Sequence, residues 1–241
     1  MGSIIVNGDD FGKSQDINDG IFQGFRSGYI NRTSIMSNMP FFNEAVELAK
    51  VNGFWDKVGL HLNLTEGEPL SPEMRAETRL TDNGMLTKEL IFRLRRGMLL
   101  SESEKRAIKA EITAQINLFV NHSPILYHLD SHMHVHNEWQ ILNLITPIAK
   151  HYNFKDMRIA RNLMPKNIIK GIYKWTVNKL IRKNFSSTDV MGSFDDFMNY
   201  YKGGDAEIMV HPILIEGKLF DICDEGLICF DKYPYDRISL S

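Results

Sequence analysis

The stretch SIIVNGDDFGKSQDINDGIFQGFRSGYINRTSIMSN, residues 3–38, decides the fold. Ser3 to Asn7 is a short run rich in β-branched residues and reads as a strand. From about Asp16 to Ser27, Ile17, Ile21 and Phe25 share one helical stripe, and Gly28 stands just past the end, where a C-cap is expected. Arg32 to Asn38 returns to strand. Strand, helix, strand is the grammar of a mostly parallel sheet with helices outside.

The same alternation continues outward. Pro40 suits a first helical turn, and Phe42, Ala45, Val46 and Ala49 predict a helix ending near Gly53. Val58 to Leu64 is the third strand, followed by a long connection from Thr65 to Gly84 of the kind that is more often functional than idle. Ser101 with Glu104 resembles a capping box for a helix reaching about Asn121. A strand at Ile125 to Asp130, a helix near Glu138 to Tyr152, a strand at Met157 to Ala160, a basic helix near Pro165 to Asn184 and a strand at Glu207 to Val210 complete the series. About seven such units predict an α/β barrel with no interdomain linker.

Composition excludes several classes. The 241 residues carry 28 Lys+Arg and 30 Asp+Glu, a formal charge of −2, with 43% hydrophobic and 24% charged residues. That balance argues against a disordered, collagen-like or disulfide-scaffold chain, and near-neutrality without a basic arm argues against general nucleic-acid binding. Cys223 and Cys229 are the only cysteines, too few for a disulfide framework. The N-terminal MGSIIVNGDDFG lacks a basic n-region, and no apolar run approaches a membrane span, so a cytoplasmic location is expected.

Strand C-termini of a parallel barrel converge on one face, where active sites form. Asp9 and Asp10 close the first strand; they either cap the next helix or form part of a site. In VGLHLNL the leucines alternate with Gly59, His61 and Asn63, which places His61 and Asn63 in the lumen, as core hydrogen-bonding groups or as ligands. HLDSHMHVH holds His128, His132, His134 and His136, four of the chain's eight histidines, together with Asp130. A solvated loop is the bland reading of that cluster; a metal or polarised water is the sharper one. His211 ends a late strand before Pro212. One carboxylate and two imidazoles can hold a divalent ion, a second carboxylate can take a proton from water, and a further histidine can give one to a leaving group.

IIVNGDDFG with Asn18 and Gly20, TSIMSNMP, VGLHLNLTEGEPL, HLDSHMHVH, MRIAR and EIMVHP stand in an order and spacing that resemble the YdjC-like carbohydrate deacetylase family, distantly similar to the polysaccharide deacetylases. The resemblance implies a single-domain distorted, TIM-barrel-like (β/α) barrel over residues 1–241. It implies that Asp10, His61 and His132 bind one divalent metal ion, that Asp9 is the general base, that His211 is the general acid and that Arg161 lies near the base. Asp130 is expected behind a ligand, with His128, His134, His136 and Asn63 as further supporting or substrate-binding residues. Zinc or magnesium suits the donor set, as do manganese, cobalt or nickel. The implied substrate is an N-acetylated sugar or oligosaccharide; the oligomeric state, a homodimer included, is left open.

Two rivals stand beside that reading. A carboxylate pair could make a glycosidase, leaving the histidines without a task, and a non-catalytic sugar-binding protein could retain the pocket. One feature lies outside all three. Between Met157 and Thr188 there is no Asp or Glu, while Arg158, Arg161, Lys166, Lys170, Lys174, Lys179, Arg182 and Lys183 supply positive charge, with Ile168, Ile169, Ile172, Trp175 and Ile181 as apolar partners. The ordinary reading is a solvated face of a barrel helix. The alternative is an anionic partner: a phosphorylated, nucleotide- or lipid-linked sugar, or an anionic membrane surface.

Overall fold

The computed structural model describes residues 2–163, 168–223 and 226–235. Its elements run β1 (Ile4–Phe11), α1 (Gln15–Arg26), β2 (Arg32–Ile35), α2 (Phe42–Val51), β3 (Val58–Leu62), α3 (Pro72–Arg75), β4 (Thr81–Asp82), β5 (Met85–Leu86), α4 (Glu89–Arg95), α5 (Glu102–Val120), β6 (His128–Ser131), α6 (Trp139–His151), β7 (Asp156–Met157), α7 (Ile168–Asn184), β8 (Val190–Ser193), α8 (Phe194–Tyr200), β9 (Ala206–Val210), β10 (Pro212–Ile215), β11 (Lys218–Cys223) and β12 (Gly226–Cys229). Seven strands form one parallel sheet in the order β7-β6-β3-β2-β1-β9-β8. The sheet curls until its edges meet: Met157 N donates to Ser186 O (3.0 Å), Ser186 N to Lys155 O (2.9 Å) and Asn162 N to Met191 O (3.0 Å). The result is a distorted α/β barrel whose last seam is closed by loop backbone rather than by a strand ladder. Among the described residues, no helix is long and apolar enough to cross a membrane.

Local chemistry explains most boundaries. Ser14 caps α1 through Ile17 N, and Gly28 takes the left-handed conformation (φ 68°) that ends it. Ser101 and Glu104 form a full capping box on α5. The connection after β3 is more ordered than a plain loop: it carries α3 and the β4–β5 hairpin. Glu111 of α5 holds it in place, accepting bonds from Leu70 N, Ser71 N and Ser71 Oγ.

The structure departs from the sequence expectation in three places. The strand expected at Met157 to Ala160 is only β7, because the chain leaves the ladder at Arg158. Strand β8 and helix α8 were not foreseen; Ser193 with Asp196 is a capping box that marks α8. Strands β10, β11 and β12 form a separate antiparallel sheet, turning at Glu216-Gly217, both at positive φ. The expected start of the basic helix, Pro165 to Asn167, with Lys166, lies outside the described residues.

The small sheet packs on α1 through Gly20. A Cβ there would come within 2.8 Å of the backbone of Pro212 and Ile213. Gly20→Ala is therefore expected to destabilise the fold by roughly 1–3 kcal/mol, since backbone cannot yield as a side chain can. Urea unfolding measures this, and an unchanged midpoint would contradict the close approach.

Candidate functional site

A regular strand sends adjacent side chains to opposite faces, so Asp9 and Asp10 could not both enter the lumen from one. A bulge resolves the conflict. Between Gly8 and Phe11 the register of β1 against β2 shifts, so two residues oppose one, and Asp10 adopts φ 68°. Both carboxylates consequently face inward. A non-glycine residue in this left-handed conformation is uncommon, though aspartate tolerates it better than most, and such residues cluster at functional sites.

The other strands supply lumen groups by ordinary alternation: Arg32 and Ser34 from β2, Gly59 and His61 from β3, His128 and Asp130 from β6, Glu207 from β9. Gly59 leaves room for the His128 ring, which a Cβ would approach to 2.9 Å. At the mouth, Asp10 Oδ1 lies 3.2 Å from His61 Nε2 and 2.8 Å from His132 Nδ1. Behind them, Asp130 Oδ1 lies 2.7 Å from His61 Nδ1. Asp130 thus orients His61 rather than its sequence neighbour His132. Burial opposes a charge on His61, but Asp130 and Asp10 outweigh it and push its pKa up to about 10. Burial likewise works against ionised Asp10, yet bonds from His132 and His61 hold its carboxyl well below the usual range.

Deeper in the lumen lies an ionic cluster built on Arg158. Its NH1 and NH2 reach Asp9 Oδ2 (2.6 Å) and Oδ1 (2.7 Å), NH2 also reaches Asp130 Oδ2 (2.7 Å), and Nε reaches Glu207 Oε1 (2.6 Å). Arg32 adds an ion pair to Glu207 (2.8 Å) and a bond to Asn7 Oδ1 (3.0 Å). The arginine beside Asp9 is therefore Arg158, not Arg161 as expected from MRIAR; Arg161 donates instead to Asp196 and to Ser193 Oγ. The chain turns out of β7 at Arg158, so that side chain swings into the lumen while Arg161 reaches the start of α8.

The remaining expected residues divide in two. His136 is a structural pin: its Nε2 donates to Arg158 O (3.0 Å) and its Nδ1 meets Ser131 Oγ, while burial lowers its pKa to about 4. Asn63 begins the loop after β3, accepting from Thr65 N and donating to Glu66 O (2.7 Å). His128 bonds Asp156 at the barrel floor. His134 sits at φ 56° with its Nδ1 buried and lacking a hydrogen bond, and burial holds the ring neutral. His211 stands at the end of β9, about one-third exposed; Asp221 accepts its backbone N–H (2.6 Å) and lies 4.0 Å from its ring.

Several participants went unread in the sequence. Lys13 and Glu66 line the mouth, with Glu66 Oε1 at 2.6 Å from Lys13 Nζ and 2.9 Å from His132 Nε2. Glu207 is an acid inside an apolar strand, AEIMV, a local anomaly that could have marked it; Ser34 donates to Asp130 Oδ2 (2.9 Å).

The donor set fits a divalent cation. Among the described residues, three groups of side chains bring ligand atoms within 4.8 Å of one another: Asp10, His61 and His132; Asp9, His61 and Asp130; and His128, Asp130 and Glu207. The last two rely on carboxylates already bonded to the Arg158 guanidinium, which repels a cation. Only the first is free of it and opens to the mouth. Charge counting agrees: Asp9, Asp10, Asp130 and Glu207 are buried against Arg32 and Arg158, an excess of two negative charges. In the protein without metal, protonated His61 and His132 can offset them; both have raised pKa values.

Acid should dismantle the cluster. Burial works against ionised Glu207, but Arg158 and Arg32 hold its pKa at about 2, below the ordinary 4.5. A depressed folded-state pKa contributes stability that is complete above pH 4.5 and lost as pH falls towards 2. Urea midpoints across that window are expected to drop steeply for the wild type and less so for Glu207→Gln. Parallel slopes would contradict the assignment.

A family profile described as YdjC-like protein matches residues 3–224. Carbohydrate deacetylases of Halalkalibacterium halodurans (33% identical, over 88% of this chain and 86% of the relative) and Clostridium beijerinckii (31%, over 98% and 88%) are similar along most of their length. So is that of Thermoanaerobacter pseudethanolicus (29%, over 92% and 85%). Among solved structures, an Enterococcus faecalis protein provisionally assigned to cellobiose-phosphate cleavage shares the fold, with TM-score 0.69 at 24% identity over 89% of this chain and 82% of that one. By the profile match and these relatives, the chain belongs to the YdjC-like protein family.

Proposed function

We propose that this protein is a metal-dependent carbohydrate deacetylase that hydrolyses the acetamide of an N-acetylated sugar or oligosaccharide to acetate and a free amine. The observation that carries the reading is the Asp10, His61 and His132 group at the barrel mouth, beside Asp9, in a chain whose relatives are named carbohydrate deacetylases. One divalent ion held by those three residues, with zinc, magnesium, manganese, cobalt and nickel all suited to the donors, supplies Lewis acidity toward water and an acyl oxygen.

The chain's own groups divide the remaining work. Asp130 accepts from His61 Nδ1, which leaves Nε2 directed at the Asp10 side of the site. Asp9 is the proton acceptor. Arg158 and Asn7 clamp its carboxylate through three bonds, two on Oδ1 and one on Oδ2, so Oδ2 keeps a lone pair for a water proton. His211 returns a proton to the amine nitrogen as it leaves, its backbone fixed by Asp221. Lys13 and Glu66 border the mouth and are positioned to meet sugar hydroxyls.

The test is acetate release from a panel of N-acetylated mono- and oligosaccharides, with metal analysis of the purified protein. Chelation is expected to abolish release and a divalent ion to restore it. Full turnover in metal-free protein would overturn the metal dependence. Shortened sugars in place of acetate would indicate a glycosidase, and sugar binding without turnover under any divalent ion would indicate a binding protein.

A further inference from the structure

Helix α7 is seated in an unusual way. Its inward contacts come from Val177, Asn178 and Ile181, with Asn178 bonding both the N–H (2.8 Å) and the carbonyl (3.1 Å) of Ala160. The apolar residues of its first half point the other way. Ile168, Ile172 and Trp175, spaced as one helical stripe, are 80%, 62% and 63% exposed. The sequence marks these residues, with Ile181, as the apolar partners of an amphipathic helix; the structure buries Ile181 and turns the other three to solvent. Trp139, 48% exposed, extends the patch, since Tyr173 of α7 accepts from Trp139 N (3.1 Å). Cations lie beside it: Lys179 sits 5.2 Å over the Trp175 ring, Lys183 follows one helical turn on, and no acid occurs between Met157 and Thr188.

We infer that this outward face of α7 docks on an anionic lipid surface. Large exposed apolar side chains gathered on one helix mark an interaction site rather than a solvated face. Aliphatic and indole groups framed by lysine and arginine match the boundary between acyl chains and anionic headgroups: the former enter it, and the latter meet the phosphates. Charge disfavours a second copy as occupant. A two-fold contact sets a patch against itself, which would bring the flank carrying Lys179 and Lys183 toward its own copy with no carboxylate on the segment to pair them.

Co-sedimentation with vesicles tests the inference. The intact protein is expected to sediment with phosphatidylserine-containing vesicles at low salt, to be released as salt rises, and to bind phosphatidylcholine vesicles weakly. Ile172→Glu with Trp175→Glu should lower vesicle affinity by about tenfold or more. These residues lie outside the site, so acetate release from a soluble substrate and the circular dichroism spectrum should be unchanged. The vesicle readout does not depend on turnover, so its failure is distinguishable from failure of the deacetylase reading. Absence of sedimentation with anionic vesicles overturns the inference, as does equal binding to neutral ones. A soluble dimer abolished by the double substitution overturns it in favour of self-association.

Discussion

Asp10→Asn is expected to lower kcat/KM for acetate release by about 10³-fold or more, while the protein remains folded. The substitution keeps the shape of the side chain and removes its charge. Asp10 is the one carboxylate in its group, and it lies within 3.2 Å of both histidines. Without it, His61 and His132 lose the negative charge that makes the mouth attractive to a cation, so bound metal should fall together with activity. Metal content by elemental analysis separates this from a purely chemical role. A variant with wild-type metal occupancy and turnover would remove Asp10 from the ligand set.

Arg158→Met is expected to be the most destabilising single substitution in the lumen. The guanidinium is wholly buried and bonded to Asp9, Asp130 and Glu207, so its loss strands three carboxylates away from water. Breaking a buried ion pair from one side costs roughly 3–5 kcal/mol, and for a chain of this size that lowers Tm by roughly 6–20 °C. Activity should fall further than stability alone explains, because Asp9 loses two of its three anchoring bonds. Arg158→Lys keeps the charge but not the fork, and should recover part of the Tm while leaving turnover low. Differential scanning calorimetry and acetate release measure the two effects. A melting curve unchanged by Arg158→Met would mean that the cluster is held some other way.

Most of the barrel was legible because its strands and helices follow two clean periods. Ile17, Ile21 and Phe25 on α1 and the alternation of β3 each point to one answer. At the mouth, Asp10, His61 and His132 stood out as polar groups near strand ends, and the resemblance to the YdjC-like family singled out those three; Lys13 and Glu66 carried no such mark. What could not be read is where regularity stops. MRIAR offers two arginines three positions apart, and strand alternation cannot choose between them when the strand ends at Met157. The bulge at Asp10 is equally invisible to a period of two, although without it the paired carboxylates make no geometric sense. Helix α7 left two readings open for a different reason: its pattern is amphipathic, but the sequence does not say which way the apolar stripe faces.

The Arg158 cluster ties the site to the order in which the chain is made. Asp9 belongs to β1, Asp130 to β6 in the middle of the chain, and Glu207 to β9, the last strand of the large sheet in chain order. Asp9 and its clamp Arg158 are 149 positions apart, and such long-range pairings form slowly. Arg158 therefore lacks its full set of partners until Glu207 arrives on β9, between β1 and β8. The side chain that clamps Asp9 is thus itself held complete only by the strand that fills the gap between β1 and β8.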